Sequence, residues 1–413
     1  MVRSLNGPSM KTLSRPLIVL ATFVICHVSV ADPVLELLPK VFERAAQQNR
    51  VMLKNLADSQ QFPRSLQPDG SLRVVDPEDW TSGFWPGTLW LIHEYDGSAE
   101  WKEHARAATA RLEGLRHFKG HHDVGFMLGC SYGNALRLSP ADADRAVLRD
   151  GAAALASRYR PALGLIRSWD FKPYAYPVII DNLMNLELLS WSAKQGGDPK
   201  HLEIAIRHAD VTLAQHFRAD GSAYHILDYN PKTGGIRAIH AGQGGDVRSA
   251  WARGQAWAIY GYAMMFRETQ KPEYLAQAAT VADFVMKHPN LPADHVPYWD
   301  FGAPAGPETP RDASAAAVMA AGLLELASAK GKEGGEIYRQ FARSQLLALG
   351  SPNYLAEVGE NGGFLLMHST GHIPEGHEID SPLCYADYYF LEALLRYRAW
   401  ATGKVRKSFG EVH

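Results

Sequence analysis

The sequence predicts an all-α chain folded as an (α/α)6 barrel of six inner and six outer helices. Three observations carry that expectation. Apolar residues recur at helical spacing in about a dozen segments. Few segments alternate as a half-buried strand would. The helical segments are also of two kinds that take turns along the chain. One kind is apolar on several faces, as a buried helix is. The other has an apolar stripe and a face rich in Arg, Lys and Glu, as a helix against water is. A buried ring inside a solvated ring accounts for the alternation.

The elements follow in order. Residues 34–58 form a striped helix, and a Pro/Gly-punctuated loop spans 63–79. Residues 83–95 are aromatic and apolar, and 100–117 are amphipathic. Helices are then expected over 123–138, 141–159, 181–194 and 200–217. After a turn-rich interval come 250–269, 273–287, 312–329, 335–349 and 386–401. The segments starting at 83, 123, 181, 250, 312 and 386 are the apolar, inner kind. Short strand pairs are expected around 222–228 and 363–368. Loops at one end of such a barrel gather the starts of the inner helices, where Asp123, Asp181, Arg253 and Asp312 sit. Asp is common at helix starts because of the dipole, which explains Asp312 but not Arg253.

The chain has 413 residues and is 46% apolar, enough for one large core. Its 42 basic and 44 acidic residues leave a formal charge of -2. That balance gives no reason to propose nucleic acid or an anionic membrane as a partner. Residues 1–31 read as a secretory signal peptide. Lys11 and Arg15 precede an apolar run from Leu17 to Val30, and Ser29-Val30-Ala31 supplies small residues before Asp32. Met10 is an alternative start. The mature chain, 32–413, is expected as a single catalytic domain, periplasmic or secreted, with no stable membrane insertion after cleavage. Cys130 and Cys384 lie in apolar surroundings and read as buried thiols rather than a bridge. No Cys/His cluster suggests zinc.

Asp181 is the leading candidate for chemistry. It is the only carboxylate between Pro177 and Leu186, and three branched apolar residues precede it. A carboxyl group among apolar side chains is poorly solvated as an anion, so it holds its proton nearer neutral pH and can donate it. Asn185, one helical turn on, can orient it. The plainer reading makes Asp181 the cap of a helix begun at Pro177. Asp123, after His121 and His122, reads as a second site carboxylate or as a cap with solvated histidines. Adjacent histidines do not share a helical face, which counts against a metal. Gly125 permits a close approach by a ligand or helix. Residues 240–246 form a polar loop of the surface or of a cleft. Arg253 and Trp257 share a helical face. An arginine fork holds a carboxylate and an indole packs on a ring, so an acidic sugar fits; a surface Arg over a core Trp is the alternative. Residues 368–380 form a polar loop that either closes over the substrate or merely connects.

Several stretches together resemble the unsaturated glucuronyl hydrolases, glycoside hydrolase family 88. They are Trp80-Thr81-Ser82-Gly83-Phe84-Trp85-Pro86-Gly87, His122-Asp123-Val124-Gly125-Phe126, Ile180-Asp181-Asn182-Leu183-Met184-Asn185-Leu186, Trp251-Ala252-Arg253-Gly254-Gln255-Ala256-Trp257 and Tyr385-Ala386-Asp387-Tyr388-Tyr389. The resemblance implies the same barrel, with a cleft at one end. It also implies hydration of the C4=C5 double bond that polysaccharide lyases leave on a terminal uronic acid, without a metal or organic cofactor. Asp181 matches the general acid/base and Asp123 the second essential aspartate. By the same match, His225, Gln243, Arg253 and Trp257 line the unsaturated-sugar subsite. Trp169 matches a stacking tryptophan, with a shorter spacing to Asp181. Relatives often place a second histidine where Ala241-Gly242 follow His240. The implied substrates are glycosaminoglycan-type lyase products, such as unsaturated chondroitin or hyaluronan disaccharides. The alternatives are an unsaturated rhamnogalacturonyl hydrolase and a non-catalytic sugar-binding barrel.

Overall fold

In a computed structural model, residues 1–7, 32–57 and 59–412 are described. The apolar run of the expected signal peptide lies outside the described residues. The compact unit from Pro33 onward is a closed double ring of helices. The inner ring contains α2 (Phe84–Asp96), α4 and α5 (Val124–Leu128 and Asn134–Leu138), α7 (Asn182–Lys194), α9 (Ala252–Thr269), α11 (Ala313–Gly334) and α13 (Cys384–Ala401). Each packs on the next, and α13 returns to α2. The outer ring contains α1 (Pro33–Leu56), α3 (Ala99–Ala110), α6 (Asp142–Ala156), α8 (Lys200–Gln215), α10 (Pro272–Lys287) and α12 (Glu336–Leu349). The six inner starts fall within two residues of the positions read from the sequence. Burial explains this: α9 and α11 are buried on nearly every face, while α1 and α12 bury a stripe.

The departures are local. Helix 100–117 stops at Ala110 and resumes as a 3-10 turn, Glu113–His117. Helix 123–138 is interrupted by a π turn, Gly129–Gly133, between α4 and α5. The expected loop 63–79 contains an antiparallel hairpin of Phe62–Leu66 and Leu72–Val75. Around 363–368 only an isolated bridge forms, between Leu355 and Leu366. The larger difference is at Pro177, which opens a strand and not a helix. Strands Pro177–Ile179, Ile226–Tyr229 and Ile236–His240 make an antiparallel sheet at the mouth of the barrel. Val178 and Ile180 are fully buried there, as β-branched residues suit a covered sheet. Cys130 and Cys384 are buried free thiols. Ala313–Gly334 is long and apolar enough by composition to cross a membrane, yet here it is a core helix with 83% of its apolar window buried.

The far end of the barrel is closed by ion pairs. Glu325 on α11 accepts from Arg267 on α9 at 2.8 Å and pairs with Arg396 on α13. Arg406 pairs with Glu94 at 2.8 Å. Arg267 also pairs with Glu187 and Glu268, and Arg396 with Glu392, so Glu325 is one member of a buried network and its loss leaves each cation a partner. Glu325→Ala should therefore cost about 1.5–3 kcal/mol of stability. Thermal unfolding checks this, with Glu325→Gln expected to recover part of the loss.

Candidate active site

The strand at Pro177–Ile179 delivers Asp181 to the start of α7, with its backbone already directed into the mouth. The Ile180 amide donates to the His225 carbonyl at 3.1 Å, so the neighbouring strand brings His225 alongside. Asp181 is 7% exposed. Although it stands at the N-cap of α7, its side chain makes no capping hydrogen bond. Its Oδ2 is buried without a partner. Burial, helped by the charge of Asp123, pushes this carboxyl up to about 7, against the pull of Arg253. The capping reading fits Asp312 instead, whose Oδ1 accepts from the Ala315 amide at 3.2 Å.

Asp123 begins α4 and also makes no capping bond. Its oxygens lie 3.2 Å from His121 Nδ1 and 3.3 Å from His122 Nε2. Burial pushes Asp123 up, but the two histidines and Asn185 outweigh it and hold it below the usual carboxylate range. His122 is itself driven down to about 4 by burial. Near neutral pH it therefore supports Asp123 as an N–H dipole, not as a full charge. Asn185 fastens the two helix starts together. Its Oδ1 accepts the Phe126 amide at 2.8 Å, and its Nδ2 lies 3.5 Å from both Asp123 Oδ1 and the Asp181 carbonyl. Gly125 makes this contact possible, since a Cβ there would stand 2.5 Å from Asn185 Cα.

His225 faces Asp181, with Nε2 3.8 Å from Oδ2. Its Nδ1 lies 2.9 Å from the Gln243 amide and 3.3 Å from the Ala241 carbonyl; the shorter contact, in which Nδ1 accepts, puts the proton of the neutral ring on Nε2. Burial pushes this imidazole down to about 3, which keeps it neutral. The loop can wrap it only because Gly242 has φ +59, and a Cβ there would fall 2.1 Å from Nδ1. Gln243 Oε1 then accepts from Arg253 at 2.5 Å.

Arg253 departs from the sequence expectation in its contacts. Its terminal nitrogens donate to Asp312 at 2.8 Å, the Thr370 carbonyl at 2.6 Å and the Gly371 carbonyl at 2.9 Å. Both prongs of the fork are thus spent inside the protein, and only Nε is left without a partner. Trp257 is fully buried between Phe126 and Tyr389, at 5.1 and 5.4 Å. It supports the floor of the site and does not present a face to a sugar. Trp169 stands at the rim, half-buried and stacked on Phe171 at 5.2 Å. Its loop is tied to the Asp123 side by the His122 amide, which donates to the Ser168 carbonyl at 3.0 Å.

Other residues join the site unannounced by the sequence reading. Trp251 lies 4.4 Å from the His225 ring and 4.6 Å from the Arg253 guanidinium. Its place at the head of the Arg253 motif was the available signal. The 368–380 loop is a narrow hairpin, with Ser369 bridged to Ser381 and His372 to His377. Glu378 anchors it to Arg64 at 2.8 Å and to Ser65 Oγ at 2.7 Å. Nothing in the sequence pairs Glu378 with Arg64, which is 314 residues away. Among the described residues, no group of three His, Cys, Asp or Glu side chains is arranged for a metal ion.

An unsaturated glucuronyl hydrolase from Formosa agariphila is 46% identical over 340 residues, 81% of this chain and 84% of that protein. The chain belongs to the unsaturated glucuronyl hydrolases. A member from Bacillus sp. strain GL1 is 37% identical over 81% of this chain and 91% of its own length. An unsaturated chondroitin disaccharide hydrolase from Streptococcus pyogenes is 32% identical over 82% of this chain and 86% of its own length. A solved unsaturated glucuronyl hydrolase described as specific for heparin superimposes with a TM-score of 0.85 at 43% identity. It covers 90% of this chain and all of its own. No family model matches the chain. The helical barrel is thus common to this chain and its solved relatives.

The Gly125–Asn185 contact sets the approach of the two aspartates. Gly125→Ala should cost roughly 1–3 kcal/mol of stability by overpacking. It should also lower kcat by about tenfold or more through misplacement of the carboxylates. Unfolding and turnover measured on the same preparation check both.

Proposed function

We propose that this glucuronyl hydrolase removes the terminal 4,5-unsaturated uronic acid from lyase-generated, glycosaminoglycan-type oligosaccharides by hydrating the C4=C5 double bond. One observation carries the reading. Two carboxyl groups on helix starts that Asn185 ties together, through the Asp123 side chain and the Asp181 backbone carbonyl, are pushed in opposite directions, Asp181 up to about 7 and Asp123 down. Such a split assigns an acid and a permanent anion.

The double bond is an enol ether. Asp181 gives its proton to C4, and positive charge develops at C5, shared with the ring oxygen. Asp123, ionised throughout, stabilises that charge. Water adds at C5 and gives up its proton to the carboxylate that Asp181 has become. The hemiketal so formed opens and releases the rest of the chain. His225 Nε2–H is a neutral donor at the acid, placed to hold a substrate oxygen. Gln243, Arg253, Trp169 and Trp257 frame the sugar site, Arg253 and Trp257 mainly from beneath. The carboxylate-separation rule for ordinary glycosidases does not apply, since the anomeric carbon is not attacked. The relatives named for glucuronyl and chondroitin substrates favour this reading over a pectin-derived sugar or an inert barrel. The leader at residues 1–31 supports action in the periplasm or outside the cell.

Asp181→Asn should lower turnover of an unsaturated disaccharide by about a thousandfold or more with the fold retained. Loss of the alkene's ultraviolet absorbance measures it, and a merely few-fold loss would assign the proton elsewhere. In heavy-oxygen water the label should enter at C5, and label at C1 would refute hydration. Because the acid must be protonated, the rate should fall as pH rises through about 7. It should fall again in acid once Asp123 takes up a proton.

A further inference from the structure

A shallow basic groove of about 490 Å³ runs beside the Trp169 loop, outside the site described above. Lys119, Arg158, Arg160 and Arg167 line it, with Asp170 as the only carboxylate. The short hairpin of Tyr159–Arg160 and Leu165–Ile166 holds three of these cations in place. Arg158 and Arg167 share Asp170, at 2.9 and 2.5 Å. Lys119 and Arg160 are exposed and have no ion-pair partner among the described residues. Four cations facing one carboxylate leave the groove strongly positive.

The groove adjoins the cleft. The charge of Arg158 reaches His121 and His122, the residues that flank Asp123, and opposes their protonation. Arg167 and Asp170 bracket Trp169 in the chain, so one loop borders groove and rim together. The next residue, Phe171, is 61% exposed. One face of its ring lies parallel to the Trp169 indole at 5.2 Å, and Tyr174 meets it edge-on at 6.1 Å. The ring nonetheless keeps most of its surface open to water. An exposed ring that follows Asp170, a lining residue of the groove, on the loop that also borders the cations matches two features of an acidic sugar. The ring takes the C–H face, and the cations take a sulfate ester or a carboxylate.

We propose that Phe171, Lys119 and Arg160 form an extended subsite for the acidic sugar residues next to the one removed. Phe171 is the stacking ring, and Lys119 and Arg160 hold the anionic group. The inference rests on the glucuronyl hydrolase reading and deepens it, by making the enzyme discriminate charge and length beyond the scissile linkage.

The double variant Lys119→Gln/Arg160→Gln tests it on three substrates. They are an unsulfated unsaturated disaccharide, the same disaccharide sulfated on its second sugar, and an unsulfated unsaturated tetrasaccharide. KM for at least one of the last two should rise by roughly five- to twentyfold, as expected for two partly exposed ion pairs. Values of kcat, and KM for the plain disaccharide, should stay within about twofold, and the wild-type advantage should shrink in high salt. A rise confined to the sulfated disaccharide assigns the group as a sulfate ester. A rise confined to the tetrasaccharide assigns the carboxylate of the next uronate. No change on any substrate, or an equal loss on all three, overturns the subsite. Failure of the wild-type chain on every substrate strikes the proposed activity instead. Calorimetric titration of the sulfated disaccharide and the tetrasaccharide into both chains then reads the subsite directly. Weaker binding by the variant supports it, and equal binding overturns it.

Discussion

The site depends on one carboxyl group kept out of water beside another that stays ionised. Asp181 is enclosed by its own strand, by α7 and by the neutral His225, and it lacks a partner for Oδ2. Asp123 is given partners at both oxygens. Their opposed behaviour carries a cost in stability with a definite sign. The folded value of Asp181 is raised, so its contribution is fully present below the unfolded value of 3.8 and is lost as pH rises toward about 7. The folded value of Asp123 is lowered, so its contribution is present above the ordinary range and is lost as pH falls. As pH rises toward and past about 7 Asp181 therefore costs stability that the rest of the barrel offsets, while ionised Asp123 contributes to it.

A second layer holds these groups in place. Gln243 fixes the His225 tautomer with its amide and receives Arg253 with its carbonyl. Arg253 in turn joins α9 to Asp312, at the start of α11, and to the 368–380 hairpin. Its cation tempers the rise of Asp181 without touching it. The arginine thus acts through position and field. A residue that reads from sequence as a ligand-holding fork turns out to be the knot between three parts of the mouth.

The barrel was legible because burial leaves its mark on every residue of a helix. The all-round apolar character of α9 and α11 and the stripes of α1 and α12 separate the two rings without any tertiary information. Asp181 was legible for a related reason, as a lone carboxylate in an apolar run, whereas Asp123 beside two histidines read equally as a cap and was singled out by its match to the family's second aspartate. What was not legible is contact across the chain. The strand at Pro177–Ile179 forms because a sheet partner nearly fifty residues later covers it, and proline alone reads as a helix start. The partners of Arg253 at Thr370 and Gly371 and the Glu378–Arg64 pair bridge distant segments with no local pattern. The pairing of Trp169 with Phe171, by contrast, is two residues long in sequence, yet its exposure is decided by the loop around it.

The most direct test is a titration of the Asp181 carboxyl itself, by carbon-13 resonance in protein labelled at aspartate and assigned with Asp181→Asn. The account requires a midpoint near 7 that falls when Asp123 is replaced by Asn. A midpoint near the ordinary value of 3.8, or one indifferent to Asp123, would contradict it.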